Sequence, residues 1–125
     1  MAVYSVMQIV MSDDQVRMVN QTFKRGDLYP EWYRKRLATS CNPTADAIYD
    51  AWPLYVETAH IEADDLEEVF DIGNIGPEYR VDRRGTAQMH SISVGDVIVD
   101  TERKTAWFVD TFGFGALGNV LDEVA

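Results

Sequence analysis

The 125-residue chain is expected to fold as α+β, one compact domain over residues 1–125 in which a mostly antiparallel sheet is packed by two to three helices. Three observations lead there. Residues 3–11 are rich in Val, Ile and Tyr and alternate loosely, as a strand with one well-buried face does. Ser12-Asp13-Asp14-Gln15 has the form of a capping box and predicts a helix start. Late in the chain, Ile92-Ser93-Val94-Gly95-Asp96-Val97-Ile98-Val99, a polar turn at 101–104 and Thr105-Ala106-Trp107-Phe108-Val109-Asp110 predict a hairpin with a longer turn than the tight two-residue kind.

The remaining elements rest on spacing and punctuation. After Ser12, Val16, Val19 and Phe23 fall at helical spacing with Met18 beside them, and Gly26-Asp27 marks the stop. Pro30 suits a first helical position. Trp32, Tyr33 and Leu37 then offer a short apolar face, with Arg34, Lys35 and Arg36 expected to face water. Ser40-Cys41-Asn42-Pro43-Thr44 breaks that helix, and 45–52 supplies another turn or two. Residues 54–61 are predicted as a strand, 64–70 as a short acidic helix and 73–77 as a loop. Arg83-Arg84-Gly85 is an expected exposed turn, and Phe112-Gly113-Phe114-Gly115 an expected bend. The last ten residues are expected to cap a sheet edge or form a short helix.

An apolar fraction of 46% with 11% aromatics is that of a folded chain, long enough to bury a core without disulfide or metal staples. The opening residues lack a basic leader and meet Asp13 and Asp14, so neither a signal peptide nor a membrane anchor is expected. Cys41 stands alone, which excludes an internal disulfide and a Cys-rich zinc module and suits a cytoplasmic setting. The net charge of −10 disfavours nucleic acid and anionic membranes alike. Its distribution is uneven. No Lys or Arg occurs between Leu37 and Tyr79, a stretch that holds Asp46, Asp50, Glu57, Glu62, Asp64, Asp65, Glu67, Glu68, Asp71 and Glu78.

Cys41, His60 and His90 are the residue types of a nucleophile dyad or a metal site, yet no HExxH, CxxC or nucleophile-elbow pattern surrounds them. The acidic run 64–71 lacks the alternating ligands and glycine of a calcium loop. It reads either as a solvated helix face or as a surface that imitates phosphates or steers the chain to a basic partner. Gly95, in the Val94-Gly95-Asp96-Val97 run of the first hairpin segment, is expected to supply a backbone conformation that a side chain resists. No catalytic residue, cofactor or metal ligand is assigned.

The second half resembles the YodL-like domains of phages, plasmids and integrative elements. The resemblance rests on Leu66-Glu67-Glu68-Val69-Phe70, on His90-Ser91-Ile92-Ser93-Val94-Gly95-Asp96-Val97-Ile98-Val99, matching a recurrent "hSxSvgDvv", and on Phe108-Val109-Asp110-Thr111-Phe112-Gly113-Phe114, matching "yyvDxxGF". Val6-Met7-Gln8-Ile9 suits the strand with which such domains begin. Residues 26–52 depart from the family pattern as a helical insertion or elaboration. The resemblance implies a mobile-element setting and carries no established activity.

Two functions are therefore expected. The first is a non-enzymatic accessory protein in the host cytoplasm that binds a host protein through Asp64, Asp65, Glu67, Glu68 and Asp71 with Trp32 and Trp52, as an inhibitor or nucleic-acid mimic. The alternative is nucleic-acid binding through Lys24, Arg25, Trp32, Tyr33, Arg34, Lys35 and Arg36, the basic groups meeting phosphates and an aromatic ring stacking on bases.

Overall fold

Short-range signals set most of the element boundaries in the computed structural model, which describes residues 1–118. The chain runs through β1 (Ala2–Gln8), α1 (Asp13–Arg25), α2 (Glu31–Cys41), α3 (Ala45–Ala51), β2 (Val56–Ala63), α4 (Leu66–Ile75), β3 (Val81–Arg83), β4 (Val97–Asp100), β5 (Thr105–Asp110) and β6 (Gly113–Gly118). The capping box at α1 forms in both directions. Gln15 N–H donates to Ser12 Oγ at 3.2 Å and Ser12 N–H to Gln15 Oε1 at 2.9 Å. Gly26 ends the helix at φ 71°, a left-handed cap that other residues adopt only with strain. Thr44 caps α3 by accepting from Ala47 N–H, and Asp65 caps α4 by accepting from Glu68 N–H at 2.8 Å.

The six strands form one antiparallel sheet in the order β3-β2-β1-β4-β5-β6. Strand alternation divides the apolar residues between two faces. Val97, Val99, Ala106 and Phe108 join Ile48 and Ala51 of α3, Trp52 and Tyr55 in one core cluster. Ile98 and Val109 join Tyr4, Val6, Ala59 and Ile61 with Val69 and Ile72 of α4 in the other. The register agrees with this division. Val97 sits opposite Phe108 and Val99 opposite Ala106 on one face, while Val6 sits between Ile98 and Ala59 on the other. The result is a single α+β domain in three layers, helix on sheet on helix, and residues 45–52 supply side chains to its core.

Several boundaries differ from the sequence reading, each for a packing reason. Among the described residues there are four α-helices, where two to three were expected, and α1 is the least enclosed, burying only Val19 while Val16, Met18 and Phe23 remain exposed. The second strand starts at Val56 because Trp52–Leu54 coils into a 3-10 turn around Pro53. Helix α4 continues through Gly73 to Ile75, where a loop was expected. Any side chain at Gly73 would overlap the side chain of Ile92, so the glycine is a contact point and not a breaker. The strand expected over 92–99 is confined to Val97–Asp100 because the preceding residues turn, with Ser93 N–H donating to the Asp96 carboxylate. Only Thr111 and Phe112 form the turn after β5, and the expected bend at 112–115 is instead the start of a sixth strand. Gly115 sits opposite Phe108, and its missing side chain is replaced by that ring. Of the ten residues expected to cap an edge or form a helix, 116–118 complete β6 and the rest lie outside the described residues.

Gly95 is constrained twice. Its φ of 92° disfavours any side chain, and a Cβ there would sit 2.5 Å from the carbonyl oxygen of Thr39 near the end of α2. Gly95→Ala is expected to lower unfolding free energy by about 2 kcal/mol or more, adding backbone strain to a forced separation of α2 from the sheet. Urea denaturation of the two proteins measures this, and an unchanged midpoint would contradict it.

Candidate functional site

The acidic run begins as β2 ends and continues into the first turns of α4, where negative charge also complements the helix dipole. Its five carboxylates divide by role. Asp65 is the N-cap of α4. Glu68 accepts from Asp64 N–H at 3.2 Å and pairs with Arg80 at 3.1 Å, which fixes it to the segment leading into β3. Asp64, Glu67 and Asp71 are exposed, and none takes part in an ion pair among the described residues.

Glu67 and Asp71 lie one helical turn apart with Phe70 beside them. Together they line a groove of about 320 Å³ shared with the end of β5 and the start of β6, including Asp110 and Phe114. Phe70 and Phe114 are half-buried and pack against the core cluster beneath. At the tip of the turn Phe112 is 99% exposed. Sequence reasoning passes over Asp110 and Phe112 because Phe-Gly-Phe-Gly reads as a bend. The available signal is an aromatic residue placed in a tight turn after an aspartate.

The two tryptophans do not join this surface. Trp52, expected to be exposed, is 8% accessible and stacks on Tyr55 with ring centroids 5.3 Å apart, because the 3-10 turn folds it under α3 into the core. It is therefore no part of a docking surface. Trp32 is half-buried beside Pro53 and Leu54, on the α3 side of the sheet, whereas α4 covers the other face. The acidic run and the aromatics expected to accompany it are thus not brought together.

The basic patch is also dispersed. Lys24 and Arg25 are exposed at the end of α1. Arg34 is exposed and donates to the carbonyl of Tyr29 at 3.1 Å. Lys35 lies between Glu31 and Asp50, 3.7 Å from each, and Arg36 is half-buried with Nε enclosed and without a hydrogen-bond partner. Of the three basic side chains of α2 expected to face water, Arg34 is exposed, while Lys35 and Arg36 are half-buried. Tyr33 meets Tyr29 and Trp32 edge to face, at 4.9 and 5.7 Å, so its ring already packs against neighbours.

The residues of a possible Cys/His dyad make no hydrogen bond to one another among the described contacts, and each has its own surroundings. Cys41 is exposed at the end of α2. His60 Nε2 lies 2.9 Å from Glu57, which also accepts from Ser5 Oγ at 2.6 Å. The carboxylate stands between hydroxyl and imidazole, so the imidazole makes no nucleophile–base contact with Ser5. Burial would raise the Glu57 carboxyl, but the hydrogen bonds from Ser5 and His60 outweigh it and hold the group below its ordinary value. Among the described residues no group of three or more His, Cys, Asp or Glu is placed to hold a metal ion.

His90 belongs to a buried polar network that no local pattern announces. Gln8 is fully enclosed, and its two amide protons go to Asp96 Oδ2 and the His90 carbonyl, both at 2.9 Å. Its oxygen accepts from Thr58 Oγ1 at 3.0 Å and from His90 N–H at 3.3 Å. With both amide protons engaged, His90 Nδ1 is left to donate to the Ser91 carbonyl at 2.8 Å. Asp96 also accepts from Ser93 N–H at 2.9 Å, which closes the turn ahead of β4. Burial pushes the Asp96 carboxyl up from 3.8 to about 6 in spite of these hydrogen bonds. Comparison with protein-family models, with curated proteins and with solved structures finds no match.

The raised Asp96 value fixes the sign of a pH effect. A carboxyl with a higher pKa folded than unfolded contributes stability that is complete below about 3.8 and is lost as pH rises through about 6. One oxygen of Asp96 accepts both hydrogen bonds, so an amide can preserve them. Asp96→Asn is therefore expected to gain stability relative to the parent as pH rises from 4 to 7. Thermal melts across that range check it, and a stability difference that does not vary with pH would refute it.

Proposed function

We propose that this chain is a non-enzymatic accessory protein of phage or mobile-element type that binds a host protein through its acidic surface, acting in the host cytoplasm as an inhibitor or nucleic-acid mimic. The observation that carries the reading is the group of exposed carboxylates Asp64, Glu67 and Asp71, outside every ion pair among the described residues, on a chain of net charge −10. Such a surface raises the encounter rate with a basic partner and disfavours acidic ones. The mobile-element setting comes from the YodL-like resemblance. No helix among the described residues is long and apolar enough to cross a membrane.

Nucleic-acid binding through Lys24, Arg25 and the α2 side chains is the weaker reading. Lys35 is balanced by two carboxylates, and Arg36 is partly enclosed. Net acidity opposes it further.

The test is affinity capture from host lysate, nuclease-treated and untreated side by side, with the parent and with a triple variant, Asp64→Asn, Glu67→Gln and Asp71→Asn. A stoichiometric protein should be retained by the parent and weakened about tenfold or more in the variant, three lost charge pairings of roughly 0.5 kcal/mol each being enough. Equal capture by both would rule out the acidic surface, and recovery of only nuclease-sensitive material would transfer the function to nucleic acid.

A further inference from the structure

An acidic surface alone does not say where a partner seats, and the groove between α4 and the β5–β6 turn supplies a place. We propose that this groove docks a single segment of a partner protein, one that presents an aliphatic or aromatic side chain flanked by Lys or Arg. This inference rests on the acidic-surface reading and narrows it to one place and one class of occupant.

The groove has the two halves such a segment needs. Its floor is apolar, made by Phe70 and Phe114, which are supported from below by the core and do not have to move. Its rims are acidic on both sides, Glu67 and Asp71 on the helix and Asp110 at the end of β5. Asp110 uses one oxygen to accept from Thr111 N–H at 2.7 Å, and neither it nor the two helix carboxylates has a cationic partner among the described residues. A volume of about 320 Å³ is at the small end of ligand pockets, with room for one or two side chains. Phosphate is excluded by the rim charge.

Phe112 supplies the remaining part. It occupies a two-residue turn closed by the Asp110–Gly113 pair, between two residues that line the groove. Its ring is 99% exposed and belongs to neither core cluster, so folding gives no reason for an aromatic side chain there. Binding does, because aromatic rings beside a pocket are the side chains that most often dominate protein–protein affinity.

The probe is a fluorescein-labelled eleven-residue peptide of alternating Lys and Gly with one central Leu, read by fluorescence anisotropy at low salt against the full chain. Two control probes replace Leu by Ser, or each Lys by Glu. The Leu probe should bind at least tenfold more tightly than the Ser probe. It should weaken by a similar factor with Phe112→Ser and about twofold with Asp110→Asn, one lost charge pairing of roughly 0.5 kcal/mol, the first at the exposed turn and the second at the half-exposed end of β5, both outside the two cores. The Glu probe should not bind. Amide shifts on adding the Leu probe should concentrate at residues 66–71 and 109–114.

Equal binding of the Leu and Ser probes, shifts spread to remote acids such as Asp13 and Asp14, or no binding of any probe would each overturn the proposal. Self-association in sedimentation, abolished by Phe23→Ser with Lys24→Glu, would also overturn it, by assigning the groove to the exposed Phe23-Lys24-Arg25 of a second copy. If host-protein capture is lost in the triple acidic variant but survives Phe112→Ser and Asp110→Asn, the groove is wrong and the acidic-surface reading stands.

Discussion

A single buried carboxamide, that of Gln8, ties together parts of the chain that local signals leave independent. It stands at the end of β1, just past the register shift between Val6 and Met7, and binds Thr58 on β2, His90 in the long connection and Asp96 ahead of β4. Each of its polar atoms is engaged, so the site carries little penalty while complete and a large one if any partner is lost. The placement of Asp96 sets the position of its neighbours in turn. It brings Gly95 against the backbone of α2 and gives the Tyr55 hydroxyl a carbonyl, that of Gly95, to which it donates. The α2–α3 layer is therefore seated on the sheet through a turn that Gln8 holds.

The run from His90 to Val97 thereby acquires a physical meaning. Ser93 supplies the amide that closes the turn, Gly95 the close approach and Asp96 the acceptor, while Val97 enters the core. The residues on which the YodL-like resemblance chiefly rests have architectural tasks in this chain.

Legibility in the sequence tracks the range of the interaction. The capping box at Ser12, the stop at Gly26 and the hairpin around residues 101–104 are decided within a few residues and are readable. Trp52 is misread from sequence because its partner Tyr55 and the layer beneath it come from the fold, and the same Pro53 that delays β2 turns the indole inward. Gly73 and Gly115 look like breakers in sequence and act as recesses for Ile92 and Phe108, residues distant or across a strand pair. The acidic run is legible as charge. Its division into capping, pairing and unpaired carboxylates depends on Arg80 returning beside Glu68, a contact between separate elements.

The β5–β6 turn has a consequence for how the chain can change over generations. Phe112 is attached to the β5–β6 hairpin yet contributes to neither core, and the side chain of Asp110 is held by its neighbour's backbone alone among the described contacts. Substitutions at these positions are nearly invisible to folding, so selection on stability hardly restrains them. Under the proposed docking reading, contacts at residue 112 can be revised while the Gln8 network preserves the scaffold, which separates the rate at which recognition drifts from the rate at which the fold does.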